Sequence, residues 1–354
     1  MPDNRNWILM GLRMVMGNIV RLVLITLVML SVRTAAANEQ EWGDFKQRFV
    51  SPEGRVVDPL QEEASHSEGQ GFAMLFAVYY GDSVTFRKLW QWTQQHLQVR
   101  EDKLLSWRWL PGSGVTDKNN ASDGDLLVAW ALLRAAEKWH EAAYLKSSQE
   151  IAHDIREKLL RRTDHGLILL PGNAGFDKSD GITINLSYWV FPALRDLPRA
   201  DPSPEWGELT RSGISILGYA RFGRWGLPPD WLQLGDKVRP ADGYPERFSY
   251  NAVRIPLYLL WAGLETDDLL MPYRKFWGYF STDRYLPAWT NLIDDSVDSY
   301  DASTGIHAIA QWVLALPEKS SVGSLVNDGQ QGYYSSALLL LTRMAAEERA
   351  GNSR

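Results

Sequence analysis

Apolar side chains recur every three or four positions in residues 70–80, 124–139, 142–160, 207–220, 252–264, 303–315 and 332–347. A repeat near 3.6 lines such side chains along one side of a helix, whereas a half-buried strand needs strict alternation. Each stretch is bounded by Gly, Pro, Asn or Asp, or lies within a residue or two of one. Alternating runs are scarce, and Gly166–Leu170 is the best short strand candidate. Helices of this length with short connections stack as antiparallel hairpins. The expectation is an all-α fold with a few short strands in loops. About twelve helices in roughly 300 residues suit an α/α toroid, although periodicity alone does not show that such a ring closes.

One domain is expected from residue 38 to 354. From Glu39 onward there is no low-complexity linker, and the Pro-rich stretch Pro198–Pro204 is only a loop's length. Ahead of it, Arg13 and Arg21 precede the apolar run Leu22–Leu30, followed by the small-residue stretch Thr34-Ala35-Ala36-Ala37-Asn38. The run is well short of the ~20 apolar residues that span a bilayer. Residues 1–37 therefore read as a secretory signal peptide. This places the remainder in the periplasm or outside the cell, with no membrane attachment once the leader is removed. Met14 and Met16 are alternative starts within it.

The chain has no Cys, which excludes thiol catalysis, disulfides and cysteine-ligated metal. Its six His lack paired spacing, so no metal site and no cofactor are expected, even with His66 beside a candidate acid. A net charge of −6 without a basic cluster argues against nucleic acid. A neutral ligand fits better. Sixteen Trp, fourteen Tyr and eleven Phe are enough both to fill a core and to line a cleft with flat faces for sugar rings.

Two acidic segments stand at the heads of apolar helical stretches. In Ser67-Glu68-Gly69-Gln70-Gly71, Ser67 could cap and Glu68 complement the helix dipole. Glycines on both sides of Gln70 cost helix stability, roughly 1 kcal/mol each, and close approach of a ligand is one reason to keep them. In Ala121-Ser122-Asp123-Gly124-Asp125, Ser122 and Asp125 have capping-box-like spacing and Asp123 could be an ordinary first-turn acid. Spacing alone leaves both alternatives open.

The second segment continues through Val128, Ala129, Ala131, Leu132, Leu133, Ala135 and Trp139, and closely resembles the signature of glycoside hydrolase family 8. Ser67–Gly71 looks like the same family's general-acid motif. Trp107-Arg108-Trp109, Asn185-x-Ser187-Tyr188-Trp189, the run Tyr250–Tyr258 and Gly332-Tyr333-Tyr334 match in order, so the likeness spans roughly residues 40–345. The resemblance implies an (α/α)6 barrel with a long open cleft and an inverting mechanism on a β-1,4-glucan. The short form with a leader resembles the endoglucanase found beside bacterial cellulose synthases, which makes a synthase complex a candidate partner. Lichenase or chitosanase activity is the alternative within the family, and a catalytically weak glucan-binding scaffold for polymer export is the alternative outside catalysis.

By the same resemblance Glu68 is the general acid, and Asp123 is an ionised carboxylate that grips the distorted sugar and stabilises positive charge at the anomeric centre. Trp107, Trp109, Tyr188 and Tyr250 are the candidates for sugar stacking, with Asn251 and Arg254 as further substrate contacts. Trp90, Trp130, Trp139 and Trp261 fall on helical faces and read as core. Well-studied cellulases of the family carry Asp where this chain has Asn251, and an amide cannot act as a base. Asp242, Glu246, Asp294, Asp295 and Asp298 are loop acids from which no single replacement stands out.

Overall fold

A computed structural model describes residues 40–281, 285–315 and 331–352. The segment read as a leader lies outside the described residues. The chain divides into two compact units, Met1–Lys46 and Gln47–Arg354. Helix α1 covers residues 40–49; everything below concerns the second unit.

Six helices of that unit form a closed ring. They are α2 (Ser67–Tyr79), α4 (Ser122–Trp139), α6 (Phe191–Asp196), α8 (Arg254–Ala262), α10 (Thr304–Leu314) and α11 (Tyr333–Asn352). Each packs on the next in that order, and α11 returns to α2. Among the described residues an outer layer lies against them. Within it α3 (Ser83–His96) packs on α2, α5 (Ala142–Leu159) on α4, α7 (Glu205–Tyr219) on α6, and α9 (Asp267–Phe280) on α10. This is an (α/α)6 barrel.

The sequence of each layer explains its place. Residues 69–78 of α2 and 122–133 of α4 are buried without interruption. A helix apolar on every side must be surrounded. By contrast α5 buries a single stripe, Ser148, Ile151, Ala152, Ile155 and Leu159, so it can face solvent on its other side. Trp90, Trp130 and Trp261 are buried as core, and Trp130 meets Trp261 edge-to-face at 4.9 Å. Such a pair adds about 0.5–1.5 kcal/mol beyond its buried area.

Close approach of α2 and α4 rests on glycine. A Cβ on Gly71 would lie 2.5 Å from Leu127 Cβ, and one on Gly124 would lie 2.8 Å from the Glu68 nitrogen. The glycines around Gln70 thus serve helix contact rather than ligand approach, since a Cβ on Gly69 would meet Tyr333 Oη at 2.6 Å.

The strands are short and lie in the connections. β1 (Ser65–His66) pairs antiparallel with β2 (Arg108–Trp109), and β3 (Leu160–Thr163) with β4 (Gly166–Leu169), the run read as a strand. A four-stranded antiparallel sheet runs β5 (Asp177–Lys178), β6 (Gly181–Ile184), β7 (Leu232–Leu234), β8 (Arg239–Pro240). Finally β9 (Arg247–Phe248) pairs with β10 (Thr290–Asn291).

Candidate active site

The N-termini of α2, α4 and α8 meet at one end of the barrel and bring Glu68, Asp123 and Arg254 together. Arg254 is the first residue of α8 and its side chain is 2% exposed. Its Nη1 donates to Glu68 Oε1 and, at 3.2 Å, to Asp123 Oδ2. Its Nη2 donates to Ser187 Oγ and to Asn251 Oδ1, each at 3.0 Å. One nitrogen contacting both carboxylates holds their nearest oxygens within two hydrogen-bond lengths, about 6 Å at most.

The two acids differ in exposure. The Glu68 side chain is 23% exposed, while that of Asp123 is 2% exposed. Burial pushes the Asp123 carboxyl up to about 7, against the pull of the Gly124 N–H at 2.8 Å on Oδ1. The guanidinium on Oδ2 favours the charged form too. Burial thus favours the neutral form of Asp123, and the Arg254 contact opposes it.

Neither helix is capped as its sequence suggested. The cap position of α2 is His66 and that of α4 is Ala121, without a side-chain cap bond at either. Ser67 Oγ and Ser122 Oγ have no hydrogen-bond partner. Asp125 is fully buried and accepts from the Leu105 N–H at 2.8 Å and from Asn120 Nδ2 at 2.7 Å, tying the approach to β2 onto α4.

Glu68, Tyr250, Asn251 and Arg254 share a groove of about 530 Å³, with Asp58, Gln61, Ser303 and Tyr334 on its other walls. Asp123 lies behind Arg254 rather than on the groove surface. Trp107, Trp109 and Tyr188 flank this groove rather than line it. Trp107 stacks on His66 at 5.8 Å, and Trp109 lies under the Arg55 guanidinium at 5.1 Å. Tyr188 lies 5.9 Å from the Arg254 guanidinium carbon.

Beyond Tyr188 stands an aromatic wall that sequence reading missed. Trp231 meets Tyr188 edge-on at 5.9 Å and stacks with Phe176 at 5.8 Å and with Tyr244 at 4.5 Å. All four rings are half-buried. Tyr188 belongs to a matched motif, but no motif marks Phe176, Trp231 and Tyr244, which come from three other connections.

The Asn251 amide has a fixed orientation. Arg254 can only donate, so Oδ1 must face it, which leaves Nδ2 as the free end. That end is a donor and cannot take a proton from water. Of the loop acids, Asp242 is exposed and paired with Arg239 at 2.6 Å, Asp294 accepts from Ser296 N–H at 2.9 Å, and Asp295 accepts from Arg224 N–H at 2.8 Å. Glu246 is exposed. Asp298 is buried, and its charge helps burial push the Tyr250 phenol up. Among the described residues no group of three or more His, Cys, Asp or Glu is placed to hold a metal ion.

A family model described as glycosyl hydrolases family 8 matches residues 13–348. The chain belongs to glycosyl hydrolase family 8. Within family 8 it is 38% identical over 314 residues to a probable endoglucanase of Novacetimonas hansenii, covering 87% of this chain and 91% of that one. An endoglucanase of Cellulomonas uda is 36% identical, covering 84% and 83%. The solved endo-β-1,4-glucanase of Acetobacter xylinum superposes with a TM-score of 0.83 at 38% identity, covering 89% of this chain and 99% of that one. As a family 8 member the protein is a glycoside hydrolase.

Proposed function

We propose that the protein is an endo-β-1,4-glucanase that cuts internal bonds of cellulose-like glucan with inversion, using Glu68 as acid and Asp123 as fixed negative charge. The observation that carries this reading is the single Arg254 nitrogen shared by the two carboxylates at the floor of an open groove. Glu68 is the acid because it alone of the pair is exposed to a ligand. As a glucan enters, Glu68 gives up its guanidinium contact, takes up a proton from solvent, and passes it to the glycosidic oxygen as the bond to the anomeric carbon breaks. Asp123 stabilises positive charge at the anomeric carbon once Arg254 turns aside with Glu68, because a guanidinium standing between them cancels its field. Inversion requires water on the opposite sugar face, with acid and base carboxyls about 6.5–9.5 Å apart. Asn251 offers that water a hydrogen bond but is no base, so the proton shed as the water bonds to the anomeric carbon passes to solvent in the open groove.

The open groove and half-buried rings suit a long neutral polymer, with residues 38–354 as one catalytic domain, residues 1–37 as its leader, and action in the periplasm or outside the cell. A role in cellulose biosynthesis, next to a synthase complex, follows from the resemblance of the short leader-bearing form. Glu68→Gln, folded as wild type, should release no reducing ends from carboxymethylcellulose while wild type does. Retained hydrolysis in that variant removes Glu68 from the chemistry. Asn251 supports one second reading, a glucan-binding scaffold, for which wild type would bind cellohexaose without cutting it.

A further inference from the structure

Asp230 stands immediately before Trp231 and is 8% exposed. Its carboxylate receives three hydrogen bonds from one short turn. Ser249 N–H at 3.0 Å and Ala252 N–H at 2.8 Å donate to Oδ1, and Ser249 Oγ at 2.7 Å donates to Oδ2. That turn carries Tyr250 and Asn251 to the groove and runs straight into α8, where Arg254 N–H bonds to Asn251 C=O at 3.1 Å.

α8 has no cap of its own. Val253 occupies the cap position without a side-chain bond to the free N–H groups. The first N–H groups of α8, on Arg254 and Ile255, bond instead to the Asn251 and Ala252 carbonyls of the turn that Asp230 holds, and a carboxylate so close also opposes the positive end of the helix dipole. From the other side, Tyr334 Oη donates to the Tyr250 carbonyl. The turn is thereby held at its N–H groups and at a C=O, by two residues from different elements.

We propose that Asp230 is a positioning residue: it fixes the 249–252 turn so that the Asn251 amide and the Arg254 guanidinium meet Glu68 and Asp123, without itself exchanging a proton with water or sugar. Burial pushes the Asp230 carboxyl above its ordinary range, while the donors around it pull down. Its partners are N–H and O–H groups, with no cation among them. An uncharged residue of the same shape can therefore do the same work. The inference rests on the hydrolase reading of the site.

Asp230→Asn and Asp230→Ala separate shape from charge. Asn keeps an oxygen for both N–H groups, and its amide nitrogen can donate to Ser249 Oγ. Kinetics on a soluble β-1,4-glucan should leave Asp230→Asn within about threefold of wild type with the same pH profile. Asp230→Ala should lose kcat on the order of 100-fold, as misplacement by about 1 Å does, with KM within about threefold. Ser249→Ala removes one of the three bonds and should fall between them, which decides the matter if Asp230→Ala does not fold. The inference is overturned if Asp230→Asn is as inactive as Asp230→Ala, or if Asp230→Ala (or Ser249→Ala, should Asp230→Ala not fold) keeps wild-type kcat. A wild type that leaves the glucan uncut sinks the hydrolase reading and this inference with it. An active wild type with an equally active Asp230→Ala sinks the inference alone.

Discussion

Gly124→Ala tests whether the reaction centre depends on how tightly α2 and α4 approach. The added methyl would lie 2.7 Å from Ser67 Cβ and 2.8 Å from the Glu68 nitrogen. Carbon contacts relax at about 3.5–4 Å, so the two first turns must part by roughly 1 Å. Part of the obstacle is backbone, which no rotamer change removes. Overpacking of this kind costs about 1–3 kcal/mol, and the better helix propensity of Ala returns about 1 kcal/mol. The net expectation is a loss of about 0–2 kcal/mol, or at most a few degrees in the unfolding midpoint. Gly218→Ala is the reference, because no atom lies within 4 Å of its added methyl and propensity acts alone. Activity should suffer more than stability. The atom being pushed is the Glu68 nitrogen, so the acid moves relative to Asp123, and displacement by about 1 Å costs on the order of 100-fold in rate. Thermal unfolding followed by circular dichroism, with initial rates on carboxymethylcellulose, measures both. A Gly124→Ala protein as stable and as active as wild type would refute the argument.

Arg254→Met should leave Asp123 buried without its partner and cost about 3–5 kcal/mol, with hydrolysis lost; urea unfolding showing less than about 1 kcal/mol would contradict the buried pairing. Asp125→Asn should change the slope of stability against pH. Burial pushes the Asp125 carboxyl up to about 7, against about 3.9 in the unfolded chain. The folded state thus holds this proton more tightly, so its contribution is full below about pH 4 and is lost as pH rises toward 7. The variant lacks that loss and should gain on wild type by up to about 4 kcal/mol over the interval. Parallel curves from chemical unfolding at several pH values would rule it out.

Most of the longer helices of both layers were legible because their signals are local, whereas the six-residue inner helix α6 was not. The stretches 124–139 and 142–160 fall within two residues of α4 and α5. The helix α3 was missed, since Thr93-Gln94-Gln95-His96 dilutes the stripe of Phe86, Leu89, Trp90 and Trp92. Glu68 and Asp123 were readable because each opens a helix inside a motif. Asp230 and Trp231 were not, and Tyr334 was read only as part of a motif without its role, because what defines them is contact with chain far away. Asp230 meets Ser249 across 19 positions, and Tyr334 meets Tyr250 across 84. Ser67 and Ser122 look like caps in one dimension, yet in the fold they are pressed between two buried helices that leave their hydroxyls unpartnered.

Because α11 packs on both α10 and α2, the ring is joined by contacts between segments some 260 positions apart. Loop entropy must be spent before such contacts return anything, which makes closure a late and slow event in assembly. The segment bearing the acid lies on that seam, with Tyr333 against Gly69 beside Glu68. A half-assembled chain can thus hold most of its helices and still have no working centre, so competence arrives only with the final docking.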